Sequence, residues 1–401
     1  MELTDRPLYI KKLMQYKDCS EIKILNGMRG VGKSSILKLF QQKLIESGIS
    51  GNNIIYIDLE TFNYCGLSDG TTLYDIAVDK IADSKTFLMI DEIRRLNNWQ
   101  SAIVELKQKF DVDIYISNSG SSIVNDELCT KLNHQPIEID VLPLSFKEYK
   151  QMQSNSNPSQ SADDLFERYL NYGGVPLIHA TKLPNLIKDV FYSAMAQDVF
   201  AVNKIADSHT MNLLIKTLFS EMGNIHSFNS LSKLLADDEG KVPSVRTVEN
   251  YITMLTEAKL FYAVPIFDTK NNYSLTRYAK YYPVDLGFYS MTMGIDKLNT
   301  VKILESVVYF ELLRLGVKVS NCKVGNKKVA FLAESEDNKI YIHVTDSIKD
   351  DTGNYDTKEI FEPLRSINDH YSKWILTLDK IYTHTDDGIR ISNIIDFLLD
   401  E

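Results

Sequence analysis

Cysteine and tryptophan are scarce in this chain, with four Cys and two Trp among 401 residues. Cys19, Cys65, Cys129 and Cys322 lie far apart and form no CxxC or Cys/His cluster. That argues against a disulfide framework and a structural zinc site, and it fits a reducing cytosol. Long apolar runs are missing too. Nothing approaches the ~18 consecutive apolar residues of a membrane span, and MELTDRPLYIKKL lacks the apolar stretch of a signal peptide. A cytoplasmic protein without membrane contact is the expectation. Excess positive charge is also absent: 44 Lys and Arg face 54 Asp and Glu, for a net charge of −10. Any nucleic-acid contact therefore has to come from a local basic surface. What is present is an ordinary globular composition, 44% hydrophobic and 24% charged. At ~100–200 residues per domain, it predicts two to four domains.

The first third alternates apolar runs with helical patterns. Ile22 to Leu25, Asn53 to Leu59, Thr86 to Ile90, Asp113 to Ser117 and Pro136 to Val141 read as strands. Ser34 to Ser47, Thr72 to Ala82, Trp99 to Phe110 and Ser122 to Leu132 read as helices between them. That alternation predicts a parallel five-stranded sheet with helices on both faces. Polar QMQSNSNPSQSADD (Gln151 to Asp164) is a solvated linker. A helical stretch follows, punctuated by YGGVP (Tyr172 to Pro176), where Gly-Gly and X-Pro break a helix. From Phe228 the pattern is helix, turn, helix capped by Ser244, then a hairpin, which predicts a winged helix-turn-helix. The last hundred residues predict a further α/β domain. It has a helix at Leu304 to Leu315, strands around 327–333 and 339–345, a helix at Glu359 to Ile367, a strand at Lys373 to Leu378 and a helix at Ile391 to Leu399.

GMRGVGKS (Gly27 to Ser34) fits G-x-x-x-x-G-K-[ST] at every specified position, after a predicted strand and before a predicted helix. Glycines let backbone N–H groups converge on phosphate oxygens, and the helix presents its positive dipole end there. Lys33 then reaches the β- and γ-phosphates, and the Ser34 hydroxyl ligates Mg²⁺. TFLMIDE (Thr86 to Glu92) is an apolar strand ending in two acids. Asp91 suits the second Mg²⁺ contact, and Glu92 suits polarising a water. A core strand ending in two solvated acids is the bland alternative. It loses weight because a whole strand intervenes between the motifs, as in ATPases with an additional strand and a catalytic glutamate. No NKxD motif reads guanine. In SNSGSS (Ser117 to Ser122), Asn118 and Ser119 are sensor candidates, set against a plain polar turn. The expected nucleotide-contacting set is Gly27, Arg29, Gly30, Gly32, Lys33, Ser34, Ser35, Asp91 and Ser119. Ser34 and Asp91 are the metal pair, Glu92 is the catalytic residue, and ATP and Mg²⁺ are the ligands.

GMRGVGKSS, IDEIRRLNNWQ, DVLPLSFKEY (Asp140 to Tyr149), YLNYGGVP and KYYPVDLGF (Lys280 to Phe288) resemble bacterial and archaeal AAA-like ATPases in which an AAA_14 domain precedes a DUF4143 domain. The resemblance covers almost the whole length. It implies a P-loop domain at 1–150, a helical region at 151–220, a winged helix at 221–290 and a restriction-endonuclease-like α/β domain at 291–401. Members commonly carry an Arg where this chain has Gln135, and they read G-S-N where it has Asn118, Ser119 and Gly120. A neutral amide cannot stabilise charge on a transferred phosphoryl group, so slow hydrolysis is expected. Arg6 and Arg29 are the substitute cations, against the reading of each as a surface arginine. In nuclease-like members acids cluster in the last domain. Here Glu305 remains, but Ala330 and His343 occupy the other positions, so that domain reads as a degenerate nuclease used for binding or scaffolding.

Lys241, Arg246 and Lys259 lie in or beside the second helix of the winged-helix segment, interrupted by Glu249 and Glu257. DNA contact and packing against a neighbouring domain both remain open. Tyr262, Tyr273, Tyr278, Tyr281 and Tyr282 fit core packing better than base stacking. A nucleotide-gated DNA-binding or adaptor protein is the alternative to a slow ATPase, and an ATP-dependent nuclease ranks last. Neither the protein partner nor the oligomeric state is legible.

Overall fold

The structure is a computed structural model describing residues 3–64, 66–82, 84–120, 123–124, 126–132, 134–156, 159–205, 207–236, 240–271, 273–294, 300–349, 353–355, 357–385 and 387–399. Cys65, Ser122 and the linker positions 157–158 lie outside the described residues.

Five strands form the first sheet: β1 Lys23–Gly27, β2 Ile54–Asp58, β3 Thr86–Asp91, β4 Val112–Ser119 and β5 Ile137–Asp140. Their order is β2-β3-β4-β1-β5, and every pairing is parallel. β4 is thus the strand inserted between the P-loop strand and the acid-ended strand. Strict alternation decides which side chain meets which layer. Ile24, Leu88, Ile90, Ile114 and Ile116 enter one core, with the helices Gly70–Val78 and Trp99–Lys109. Leu25, Phe87, Met89 and Tyr115 enter the other. That second core is shared with α1 (Pro7–Gln15), α2 (Lys33–Glu46), the helical segment after residue 161 and much of the C-terminal half.

Beyond the helical segment, the helices Phe228–Leu234 and Val245–Glu257 precede a hairpin. With short β6 (Ile225–His226), β7 (Phe261–Asp268) and β8 (Tyr273–Pro283) make an antiparallel trio. This hairpin is not isolated. β9 (Lys318–Val324) runs parallel to β7, pairing Ile266 with Asn321 and Asp268 with Lys323. β10 (Lys327–Glu334), β11 (Lys339–Val344), β12 (Ser372–Thr377), β13 (Thr383–His384) and β14 (Arg390–Asn393) continue the same sheet to nine strands. Residues 391–393, expected in a helix, are strand, and the helix starts at Ile394 because Asn393 accepts the Ile395 N–H at 2.8 Å. Tyr281 and Tyr282 are buried, while Tyr273 and Tyr278 are exposed.

Three motifs far apart in sequence meet at one joint. Leu144 of PLSF donates its N–H to Gly174 O at 2.8 Å, and Tyr169 OH donates to Leu144 O at 2.8 Å. Asp285 of PVDLG accepts from Gly174 N at 2.6 Å and from Gly287 N at 2.8 Å. Arg314 donates to Pro143 O at 2.8 Å. A Cβ on Gly173 would stand 1.8 Å from Asp285 Oδ1, so only glycine fits there. Among the described residues, no helix is long and apolar enough to cross a membrane.

Candidate functional site

The loop Gly27–Gly32 leaves the end of β1, and α2 begins at Lys33. Gly30 (φ +88°) and Gly32 (φ +98°) adopt left-handed backbone, which a side chain at either position would strain. No side chain caps α2, so its first N–H groups face the loop. Ser34 and Ser35 stand half-buried in that first turn.

Lys33 is buried, and its ammonium donates to Gly27 O and Met28 O, each at 3.1 Å, and to Ser119 Oγ at 2.9 Å. Glu92 Oε1 lies 3.6 Å away. Burial pulls the Lys33 ammonium below the ordinary lysine range, while Glu92, Asp91 and Asp198 oppose that pull. Ser119 Oγ in turn donates to Glu92 Oε1 at 2.5 Å. The strand period explains the choice of serine: Ser117 and Ser119 share the site face of β4, and Asn118 points to the other side, donating to Asn26 Oδ1 at 3.2 Å.

Sequence reasoning missed what holds the two acids. Asp91 accepts from Tyr56 OH at 2.7 Å and from Ser117 Oγ. Glu92 sits in left-handed backbone (φ 59°, ψ 48°), and its N–H donates to Ser117 Oγ at 2.9 Å. Such a conformation costs a non-glycine residue about 1–2 kcal/mol and recurs at functional sites. Tyr56 carried a faint signal, as the one aromatic ring in the strand Ile54–Asp58. Ser117 carried none.

Arg29 reaches Glu60 Oε1 at 2.8 Å, Glu92 Oε2 at 3.9 Å and Asp198 Oδ2 at 3.8 Å. Arg6 is elsewhere. Its guanidinium binds Glu148 Oε1 (2.8 Å), Val31 O (3.0 Å) and Leu142 O (2.8 Å), bracing the P-loop from beneath instead of facing the acids. Gln135 is exposed just before β5. Asp198 was not anticipated. It comes from the π-helical turn Met195–Phe200, and its Oδ2 is buried with no hydrogen-bond partner among the described residues. Burial pushes its carboxyl above the ordinary aspartate range, Glu92 adds to this, and Arg29 and Lys33 work against it. The sequence signal was an acid inside apolar FYSAMAQDVFAV.

These groups suit a nucleoside triphosphate with Mg²⁺: a left-handed glycine loop, an uncapped helix N-terminus, a buried ammonium, and hard hydroxyl and carboxylate oxygens. In the C-terminal half, Glu305 accepts from Lys280 Nζ at 2.8 Å and from Tyr282 OH at 2.7 Å. It lines a cleft of about 710 Å³ with Ala330 and His343. Among the described residues, no group of three or more His, Cys, Asp or Glu could hold a metal ion.

A parallel sheet in this order, with a P-loop after β1 and paired acids at the end of β3, defines the AAA-like class of P-loop ATPases. Residues 20–150 match the AAA domain model (AAA_14). Residues 163–299 match a domain of unknown function (DUF8612), where the motifs had suggested DUF4143. The chain is 31% identical over 404 residues to an uncharacterized protein of Haemophilus influenzae, covering 99% of each. It belongs to that protein's family. It is also 27% identical over 395 residues to the uncharacterized protein MJ1544 of Methanocaldococcus jannaschii, covering 92% of this chain and 84% of that one. Among solved structures, the Aeropyrum pernix ORC1 protein in complex with DNA is 11% identical, with 74% of this chain and 94% of that one covered and a TM-score of 0.31. AMPPCP-bound DnaA from Aquifex aeolicus is 13% identical, with 62% and 86% covered and a TM-score of 0.31.

Proposed function

We propose that the chain is a Mg²⁺-dependent ATP-binding protein that hydrolyses ATP slowly and passes its nucleotide state to the helical and winged-helix parts. The observation that carries this reading is the convergence of Lys33, Ser119 and Glu92 beneath the left-handed glycine loop. Lys33 would grip the β- and γ-phosphates, and Ser34 and Asp91 would hold Mg²⁺, which supplies charge neutralisation on the phosphate oxygens. Glu92, held by Ser117 and Ser119, would orient the attacking water. Ser119 would report on the γ-phosphate through both partners. Arg29 is the nearby cation, but Glu60 already engages it, which supports a low rate.

A route outward supports the coupling. Gly120 follows Ser119 and abuts the end of the helix Val245–Glu257, so that a Cβ there would lie 3.7 Å from Glu257 O. Lys259 also reaches Asp140 of β5 at 3.3 Å. Binding of ATP with Mg²⁺ to the wild type and to Lys33→Ala tests the grip, with the variant expected to lose detectable affinity. Glu92→Gln should bind ATP like the wild type and hydrolyse it at least about 100-fold more slowly. Equal binding by Lys33→Ala, or unchanged turnover by Glu92→Gln, would remove the corresponding role.

The second reading is a nucleotide-gated DNA-binding or adaptor protein. It draws on exposed Arg246 in the first turn of the helix Val245–Glu257 and exposed Lys241 in the segment leading into it. DNA affinity measured at several salt concentrations, with and without ATP, decides it. A salt-independent absence of binding in both states leaves a protein partner.

A further inference from the structure

The helical segment is seated directly on the phosphate loop. A Cβ on Gly30 would stand 3.1 Å from Val190 Cγ1, and one on Gly32 would stand 3.7 Å from Pro176 Cγ. The helix Leu186–Ala194 then runs into the π-helical turn Met195–Phe200, whose wider winding is closed by the Ala201 N–H to Ala196 O at 3.0 Å. Met195 and Val199 anchor that turn in the shared core. Asp198, between them, is turned toward the loop and is 9% exposed.

Two buried polar atoms face each other there, each without a hydrogen bond among the described residues. Arg29 Nε and Asp198 Oδ2 are 3.8 Å apart, close enough for an ion pair and too far for a hydrogen bond. A buried carboxylate in that condition is costly unless a cation compensates it. Arg29 is the cation, and it is shared with Glu60 and Glu92. The γ-phosphate of a triphosphate would add negative charge among Lys33, Arg29 and Glu92. A diphosphate ends one group short of that point.

We propose that Asp198 is a nucleotide-discriminating residue: it holds the helical segment on the P-loop through Arg29 and opposes the γ-phosphate, which competes for the same guanidinium. The inference rests on the nucleotide reading above and deepens it. Diphosphate leaves the Asp198–Arg29 pair in place. Triphosphate draws Arg29 away, leaves Asp198 only the weaker pull of Lys33 and Arg94 and loosens the π-helical turn from the loop, so the segment that follows inherits the nucleotide state.

The test uses the full chain. ADP and the non-hydrolysable triphosphate AMP-PNP, each with Mg²⁺, are titrated calorimetrically against wild type, Asp198→Asn, Asp198→Glu and Lys33→Ala. Asp198→Asn removes the charge at constant size, so its affinity for AMP-PNP relative to ADP should rise about tenfold. Asp198→Glu should stay near the wild-type ratio. Hydrogen exchange gives an independent readout: in the wild type AMP-PNP, but not ADP, should speed exchange in residues 190–201. A ratio unchanged in Asp198→Asn, or weaker AMP-PNP binding by that variant, overturns the discrimination while the P-loop reading stands. Wild-type protein that binds neither nucleotide, or Lys33→Ala that binds like wild type, overturns the reading itself and the inference with it.

Discussion

At Asp285 burial and hydrogen bonding pull the carboxyl in opposite directions. Two backbone N–H groups favour its charged form, yet burial outweighs them and pushes its carboxyl up to about 6. An unfolded aspartate titrates near 3.9. Between those values the folded chain binds more protons than the unfolded one, so stability falls as pH rises through the window and levels off above it. The size is on the order of 2–3 kcal/mol. His179 works the other way: burial lowers it to about 4, so its contribution is present above about 6.5 and is lost as pH falls toward 4. Comparing wild type with Asp285→Asn cancels the histidine. Urea unfolding should show a larger wild-type advantage at pH 4.5 than at pH 7, and a constant difference would show that Asp285 titrates normally. At the site itself, Lys33, Asp91 and Glu92 were legible because phosphate chemistry demands those side chains at that spacing. Ser117, Tyr56 and Asp198 were not, because each acts through a contact between residues more than 20 apart.

Elements were read well where period and caps agree. The strands of the first sheet and their helices lie within a few residues of expectation, because short, nearly continuous runs of Ile, Leu, Val and aromatic residues bounded by turns suit a parallel sheet buried on both faces. β9 escaped because buried Ser320 and Asn321 interrupt its apolar pattern, and only tertiary contact gives the Asn321 amide N–H a partner, Ala330 O at 2.6 Å. Residues 391–399 misled because ISNIIDFLL suits both periods until Asn393 acts as a cap. The motifs PLSF, YGGVP and PVDLG hold elements together. Gly173→Ala should therefore cost about 3 kcal/mol or more, because its Cβ would overlap Asp285 and its φ is +71°. Gly48→Ala, at φ +94° with nothing within 4 Å, should cost only about 1 kcal/mol. Thermal melts of the two variants make the comparison, and equal losses would mean that the joint can open to admit a methyl.

Over the whole molecule, the hairpin β7–β8 and the C-terminal strands form one sheet, and Ile303, Leu304 and Val308 of the helix Thr300–Arg314 enter the core shared with the P-loop half. A chain ending at residue 294 would expose the β7 edge and part of that core. It should melt lower and self-associate on size exclusion, whereas full-length behaviour would mark the segment after residue 294 as an appendage. The AAA-like class, the P-loop and its acids follow from sequence alone, because phosphate binding and strand alternation are local rules written in adjacent residues. The tertiary structure alone decided the merging of the sheets, the meeting of three distant motifs around Asp285 and the arrival of Asp198 beside Arg29. Each joins groups whose separation along the chain carries no periodic or compositional trace.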